Sequence, residues 1–403
     1  CLKKLSIYLI CLKNMKNINI DLVKPSDKEL EITTIGPGFN NGESVVIHLG
    51  NGKWMIIDSC KANGEVLPLA YLDAIGVSCD DVKTVICSHW HKDHYLGLAE
   101  ILRSCKNSEF KIAKIGNFKN FVQYVFMLNE IETNKAGGWK EFEKCLIALK
   151  EVGQRKPKYI FHDQLIEDND QIKIDVHCLG PSDYAMEQFD SLLLQIDPKD
   201  PKEEHTKALE ENMTCLSVTV SYDGQAVLIG CDAEVNRRDK YSMDDCTDDC
   251  EDAKETGWCE IMHNSIILKR NSPFGCVKIA HHSSVTGYCP KFWKELVKKD
   301  ALIGVTTIYK SSNSENLPHK DMLSQYHTHC THQYITCGLE QNVQPTEVFP
   351  GDDTILDITK QDLPGIVVCR WSPDEKKWKR YTFGAAAEVT GEFLKNYHKN
   401  LVD

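Results

Sequence analysis

A short apolar run, Thr84-Val85-Ile86-Cys87, gives way to Ser88-His89-Trp90-His91-Lys92-Asp93-His94, and a helix-like stretch opens at Tyr95-Leu96-Gly97. Neutral imidazole and carboxylate are good ligands for zinc or manganese. His89 and His91 lie two apart in extended chain and so project the same way, whereas Asp93 and His94 sit on the following turn and reach a neighbouring position. A strand end built like this can serve two ions at once. With 15 histidines in 403 residues, His-x-His-x-Asp-His arises by chance on the order of once in a thousand such chains. The competing reading is a histidine-rich surface turn.

The rest of the composition narrows the setting. Apolar residues make up 42% and charged residues 26%, which is a globular balance and excludes disorder and collagen-like repeats. A net charge of −12, from 47 basic and 59 acidic side chains, excludes a globally basic nucleic-acid coat. No apolar run approaches the roughly 18 residues of a membrane span, so no membrane association is expected. The 18 cysteines are irregularly spaced and many fall in strand-like runs, a pattern that fits reduced thiols and a cytoplasmic location. Lys3 and Lys4 precede a short apolar stretch without a small-residue cleavage site, and Met15 reads like a natural start. Residues 1–28 are therefore expected to be an N-terminal extension and lead-in.

Strand-like stretches rich in β-branched residues recur at 29–35, 43–49, 53–58, 84–88, 172–179, 215–221, 226–231, 276–280, 302–308 and 366–371. Leu49-Gly50-Asn51-Gly52 and Tyr222-Asp223-Gly224-Gln225 are hairpin signals. Helical patterns lie at 95–104, 118–132, 139–152, 290–299 and 319–326. Mixed elements with hairpins in each half predict an α+β fold of two packed sheets covered by helices. One domain over 29–385 is expected, with a helical insertion at about 101–156, an acidic loop at about 240–262 and a C-terminal helical tail at 386–403.

Taken with the histidine cluster, further pieces in the same order make the sequence similar to the metallo-β-lactamase superfamily of binuclear hydrolases. The resemblance implies a four-layer αβ/βα sandwich. Trp54-Met55-Ile56-Ile57-Asp58-Ser59 resembles the strand whose aspartate orients the metal-binding loop, which gives Asp58 that part. Ala226-Val227-Leu228-Ile229-Gly230-Cys231-Asp232 resembles the strand whose aspartate bridges the metals, so Asp232 is the candidate bridge. Val277-Lys278-Ile279-Ala280-His281-His282-Ser283-Ser284 resembles the strand and turn giving the last ligand, from His281 or His282. His177, at the end of Lys173-Ile174-Asp175-Val176-His177-Cys178, is the one candidate for the further histidine ligand of many superfamily members, and reads first as an ordinary strand residue with that ligand role as the alternative. Within the superfamily the narrower resemblance is to the hydrolase domain of ComEC-type DNA-uptake proteins and its stand-alone relatives. It rests on Cys178-Leu179-Gly180-Pro181-Ser182, Asn212-Met213-Thr214-Cys215-Leu216-Ser217-Val218 and Ser312-Asn313-Ser314-Glu315-Asn316-Leu317-Pro318-His319. The order Pro318-His319 reverses the usual pair of relatives.

The resemblance implies two divalent ions, Zn²⁺ or Mn²⁺, that clamp reacting oxygens and lower the pKa of a water. The absence of a Gly-x-Ser-x-Gly elbow agrees with that chemistry. Asp93 is expected both to ligate and to orient the attacking oxygen, while His319 or the spare member of His281/His282 holds a substrate oxygen or protonates the leaving group. The resemblance points to a phosphodiester, possibly DNA, as the substrate; the basic clusters at Lys111, Lys114 and Lys119, at Arg155, Lys156 and Lys158, and at Lys291, Lys294, Lys298 and Lys299 read as solvated helix faces, with a substrate track as the alternative. The alternatives are hydrolysis of a small lactone, thioester or phosphonate, and a metal-stabilised binding protein with little turnover. The helical insertion is the expected seat of any protein partner.

Overall fold

The β-branched runs become two eight-stranded sheets. The computed structural model describes residues 23–37, 42–62, 64–116, 118–123, 139–196, 211–235, 257–309, 317–318, 320–337 and 364–400. The first sheet comprises β1 (Leu30–Gly36), β2 (Ser44–Leu49), β3 (Trp54–Ile57), β6 (Val82–Ile86), β7 (Glu109–Ala113), β8 (Lys158–Ile160), β16 (Gly365–Ser372) and β17 (Lys377–Gly384), in the order β17-β16-β1-β2-β3-β6-β7-β8. The second comprises β9 (Leu165–Asn169), β10 (Ile174–Cys178), β11 (Val218–Tyr222), β12 (Gln225–Ile229), β13 (Cys276–Lys278), β14 (Ile303–Thr306), β15 (His332–Ile335) and β18 (Ala387–Glu388), in the order β18-β15-β14-β13-β12-β11-β10-β9. A small ribbon, β4 (Lys61–Ala62) and β5 (Glu65–Val66), stands apart.

The helices include α1 (Leu67–Ala74), α2 (Lys92–Tyr95), α3 (Leu98–Ser104), α4 (Trp139–Glu151), α5 (Asp183–Leu194), α6 (Gly257–Asn264), α7 (Ile266–Asn271), α8 (Pro290–Glu295), α9 (Lys320–His329) and α10 (Gly391–Asn400). Ser182 starts α5 by accepting from the Ala185 amide at 3.0 Å, and Ser265 starts α7 by accepting from the Leu268 amide at 2.9 Å, each satisfying a donor the helix leaves open. The period of two in a strand assigns the layers. Val227 of β12 joins a buried cluster with Ile47, Met55 and Ile86 of the first sheet. Its neighbour Leu228 faces the other way, against Trp258 of α6, Phe292 of α8 and Met322 of α9. Sheet packs on sheet and helices cover the outside, the four layers that the resemblance implied.

Strands β3, β6, β7 and β8 run parallel, as do β12, β13, β14 and β15. Parallel strands put all their carboxyl ends on one edge, where loops from different parts of the chain meet. Two details differ from expectation. The segment expected as a helical insertion contains β7, a parallel strand of the first sheet, beside α4; local alternation in Glu109-Phe110-Lys111-Ile112-Ala113 is the signal that marks it. The expected helical tail begins with β18, paired antiparallel to β15, before α10. Residues 1–22 of the expected extension, most of the acidic loop and the helical pattern beyond residue 123 lie outside the described residues.

Candidate metal centre

Five carboxyl ends of parallel strands supply the cluster. Asp58 follows β3, Ser88 to His94 follow β6, Asp232 follows β12, His281 and His282 follow β13, and Thr307 follows β14. Glu43 enters from the amino end of β2, which runs antiparallel to β3 and so starts where β3 stops. Backbone bonds lock these loops together: the Glu43 amide donates to Asp93 O at 2.9 Å, Ser59 to His94 O at 2.7 Å, His281 to Cys231 O at 2.7 Å, and Leu216 to Ser88 O at 2.9 Å across the two sheets. Left-handed backbone concentrates here in residues that pay a steric penalty for it. Asp58 has φ +60°, Cys231 +44°, His281 +46°, His282 +48° and Ser283 +61°. Strain of this kind persists where the surroundings over-determine the conformation.

Two groups of donor atoms result, one of Glu43, His94, Asp232 and His282, the other of His89, His91 and Asp232. Asp232 belongs to both. His94 Nε2 lies 3.2 Å from Asp232 Oδ2 and 3.5 Å from Asp93 Oδ2. His282 Nε2 lies 3.0 Å from Asp93 Oδ2 and 3.7 Å from Asp232 Oδ2. In the second group His89 Nε2 is 3.0 Å from His91 Nδ1 and 3.9 Å from Asp232 Oδ2. Behind the rings, His94 Nδ1 donates to Asp58 Oδ2 at 2.8 Å, while the Ser88 hydroxyl donates to the same oxygen at 2.6 Å and lies 3.0 Å from His89 Nδ1. Asp58 thus orients two imidazoles, one directly and one through a hydroxyl.

The electrostatics fit cations. Four buried carboxylates, Glu43, Asp58, Asp93 and Asp232, surround the rings, with the buried ammonium of Lys278 paired to Glu43. Burial alone would pull His94 down, but Asp232, Asp93, Glu43 and Asp58 outweigh it and hold the imidazole well above its ordinary value. Burial would raise Asp232, yet His94, His282 and His281 hold its carboxyl well below the usual range. His89 is pushed down by burial and by His94 and His91. His94 Nε2 and Asp232 Oδ1 are buried with no aligned hydrogen-bond partner among the described residues. An unpaired ring nitrogen and an unpaired carboxylate oxygen on neighbouring buried side chains suit a divalent ion, which takes lone pairs from both.

The two adjacent histidines divide. His282 is buried within the first group, whereas His281 stands at its rim, 22% exposed, with Nε2 3.9 Å from Asp232 Oδ2 and Nδ1 2.8 Å from Glu234 Oε1. Burial lowers His281, but Asp232 and Glu234 carry it up to about 9. His177 does not join either group: its Nε2 is 3.5 Å from an Arg270 guanidinium nitrogen and its Nδ1 has no partner among the described residues. His319 lies outside the described residues. Several basic residues of the candidate substrate track are engaged in holding the fold. Lys111 is buried and reaches Ile166 O and Glu167, Lys158 pairs with Glu109, Lys298 donates to Gln225 at 2.6 Å, and Arg155 satisfies carbonyls at Leu102, Cys105 and Ser108.

Sequence reasoning passed over Glu43, Ser88, Lys278 and Thr307. Lys278 carried the clearest signal, a lone cation inside the apolar run Val277-Lys278-Ile279-Ala280, since a lysine on a buried strand requires an anion. Glu43 and Thr307 have no such local mark. Tyr309 was also passed over; its ring packs 5.4 Å from that of His282.

Residues 37–126 match the family model described as the metallo-beta-lactamase superfamily. Among solved structures, the Rm3 metallo-beta-lactamase is 14% identical, with 65% of this chain and 78% of that one covered at a TM-score of 0.32. The hydrolase AbOPH in the beta lactamase superfamily is 11% identical, with 52% and 72% covered at 0.31. The metallo-beta-lactamase GOB-18 from Elizabethkingia meningoseptica is 15% identical, with 50% and 59% covered at 0.27. No curated protein matches. Among the described residues no helix is long and apolar enough to cross a membrane.

Proposed function

We propose that this chain, which has the metallo-β-lactamase fold and carries its first ligand cluster inside the segment matching that superfamily, is a binuclear metal-dependent phosphodiesterase acting on nucleic acid. The observation that carries the reading is the sharing of Asp232 between two adjacent donor groups. Divalent ions bound there, Zn²⁺ or Mn²⁺, would supply Lewis acidity and a water of lowered pKa. His89, His91 and Asp232 would hold one ion; Asp93, His94, His282 and Asp232 would hold the other. Asp58 fixes the rings of His89 and His94 before substrate arrives, so no reorganisation is needed at that point. His281, at the rim with Nδ1 2.8 Å from Glu234 Oε1, would donate from Nε2 to a substrate oxygen or leaving group.

A phosphodiester is favoured because its non-bridging oxygens can span two neighbouring cation sites, and because the sequence resembles ComEC-type hydrolases. The engagement of Lys111, Lys158 and Lys298 within the fold favours a second reading, a smaller lactone, thioester or phosphonate substrate that needs no basic track. Purified protein is analysed for metal and offered single-stranded DNA, double-stranded DNA, bis(p-nitrophenyl) phosphate and a lactone panel with Mn²⁺ or Zn²⁺. Cleavage of DNA, lost in the double variant His89→Ala/Asp232→Ala, supports the first reading. Lactone turnover alone moves the assignment to the second, and activity surviving the double variant ends both.

A further inference from the structure

Beneath the donor group that contains His282 runs a string of buried polar side chains that the proposed chemistry does not use. Lys278 of β13, fully buried, pairs with Glu43, itself 2% exposed. The other oxygen of Glu43 accepts from the hydroxyl of Thr307, and that hydroxyl lies 3.0 Å from His282 Nδ1. A threonine hydroxyl has one proton. Since Thr307 gives its proton to Glu43, it can only accept from His282, so Nδ1 of that ring carries a hydrogen; an ion at Nε2, which lies 3.0 Å from Asp93 Oδ2, would take the place of a second hydrogen there. The opposite tautomer would set two acceptors against each other in a buried site, at a cost on the order of a lost hydrogen bond.

Glu43 is itself a donor atom within reach of the group, so a direct ligand role has to be weighed. Its geometry speaks against one. It faces the Nδ1 atoms of both rings, 3.4 Å from His282 and 3.7 Å from His94, whereas the rings turn Nε2 towards Asp93 and Asp232. Both its carboxylate oxygens are already taken, one by Lys278 and one by Thr307. The arrangement repeats, on the opposite sheet and with different residues, the Asp58–Ser88–His89 string, in which a carboxylate also reaches an imidazole through a hydroxyl.

We propose that Lys278, Glu43 and Thr307 form a positioning relay that fixes the Nδ1–H tautomer and ring orientation of His282 and thereby sets the affinity of the second ion. This rests on the metal centre proposed above. Lys278 holds Glu43 in place, Glu43 holds the Thr307 hydroxyl in its accepting orientation, and Thr307 holds the ring. Such partners behind a metal-ligating histidine typically change metal affinity by about 10–100-fold.

The test uses the full chain in wild-type, Thr307→Val, Thr307→Ser and Glu43→Gln/Lys278→Met forms; the last removes both buried charges together so that neither is left unpaired. Co²⁺ binding is followed by visible absorption with chelator competition, and imidazole nitrogen NMR of the metal-free protein reports whether Nδ1 of His282 carries a hydrogen. The expected result is that Thr307→Val weakens one of two ions by about 10–100-fold and leaves the other unchanged. Nδ1–H should then no longer dominate at His282, Thr307→Ser should restore both readouts, and the double variant should resemble Thr307→Val. The relay is overturned if Thr307→Val binds both ions as wild type does, if serine fails to restore it, or if the tautomer is unmoved. Wild type binding no Co²⁺ would instead end the metal reading itself, a different outcome from two ions bound with an indifferent Thr307.

Discussion

The two sheets contribute to the centre in opposite ways. From the first sheet, His89, His91, Asp93 and His94 arrive in a single loop after β6, and their orienting aspartate, Asp58, leaves the neighbouring strand β3. From the second sheet, Asp232, His282 and Thr307 come one at a time from the ends of β12, β13 and β14, and their orienting carboxylate, Glu43, belongs to the other sheet. One half is ordered by local chain geometry. The other exists only if three parallel strands keep register and the two sheets dock. Both halves nonetheless reach the same solution, a carboxylate passing through a hydroxyl to an imidazole, because a buried metal-ligating ring needs its second nitrogen satisfied.

Asp232 is the residue that removes the distinction. Asp232→Ala should abolish binding of both ions and all hydrolysis, whereas His91→Ala and His282→Ala should each lower the stoichiometry by one ion; metal analysis beside turnover checks this, and a full complement of ions in Asp232→Ala would break the shared-centre account. Asp58→Ala should weaken both ions by about 10–100-fold, since Asp58 holds His94 directly and His89 through Ser88. That contrasts with the one-ion effect expected of Thr307→Val, and chelator competition separates them.

The dependence of the second half on strand register is exposed at Gly230. A Cβ there would meet the Cβ of Ala280 at 2.8 Å and its Cα at 3.0 Å, so β12 and β13 must part exactly where Asp232 and His282 need to face. Gly230→Val should therefore cost about 1–3 kcal/mol of stability by overpacking and weaken the ion held by His282, as read by urea unfolding and Co²⁺ titration. An unchanged midpoint would show that the strand ends are less tightly coupled. The smallest effect lies at the periphery, where His162, after β8, joins Glu260 of α6 at 2.7 Å. The bond to Glu260 outweighs burial and raises the His162 pKa from 6.5. Its contribution to stability should be fully present below that unfolded value and fade as pH rises through the folded one. His162→Gln should flatten this part of the pH profile of the unfolding midpoint, by a modest amount because the pair is partly exposed to solvent.

Which parts could be read in advance follows the same division. The cluster from His89 to His94 announced itself because its donors are neighbours in the chain, and Asp58, Asp232 and the His281-His282 pair were found because the apolar strands they end resemble those of the metallo-β-lactamase superfamily. The choice between His281 and His282 was not legible, since it turns on the left-handed backbone at 281–283, which carries the second ring inward and leaves the first at the rim. His177 also ends an apolar strand, yet it lies beside Arg270. Strand β7 was hidden inside a stretch that reads as helical on both sides.

The residue order by itself determined the donor types, the strand ends that carry them and the alternation of Val227 and Leu228 between the two faces of a sheet, all consequences of covalent spacing. Tertiary structure decided which donors meet. Glu43 and Lys278 are 235 positions apart and Glu43 and Thr307 are 264 apart, and only the docking of two sheets, driven by the apolar surface between them, brings that carboxylate under an imidazole it could never reach through the chain.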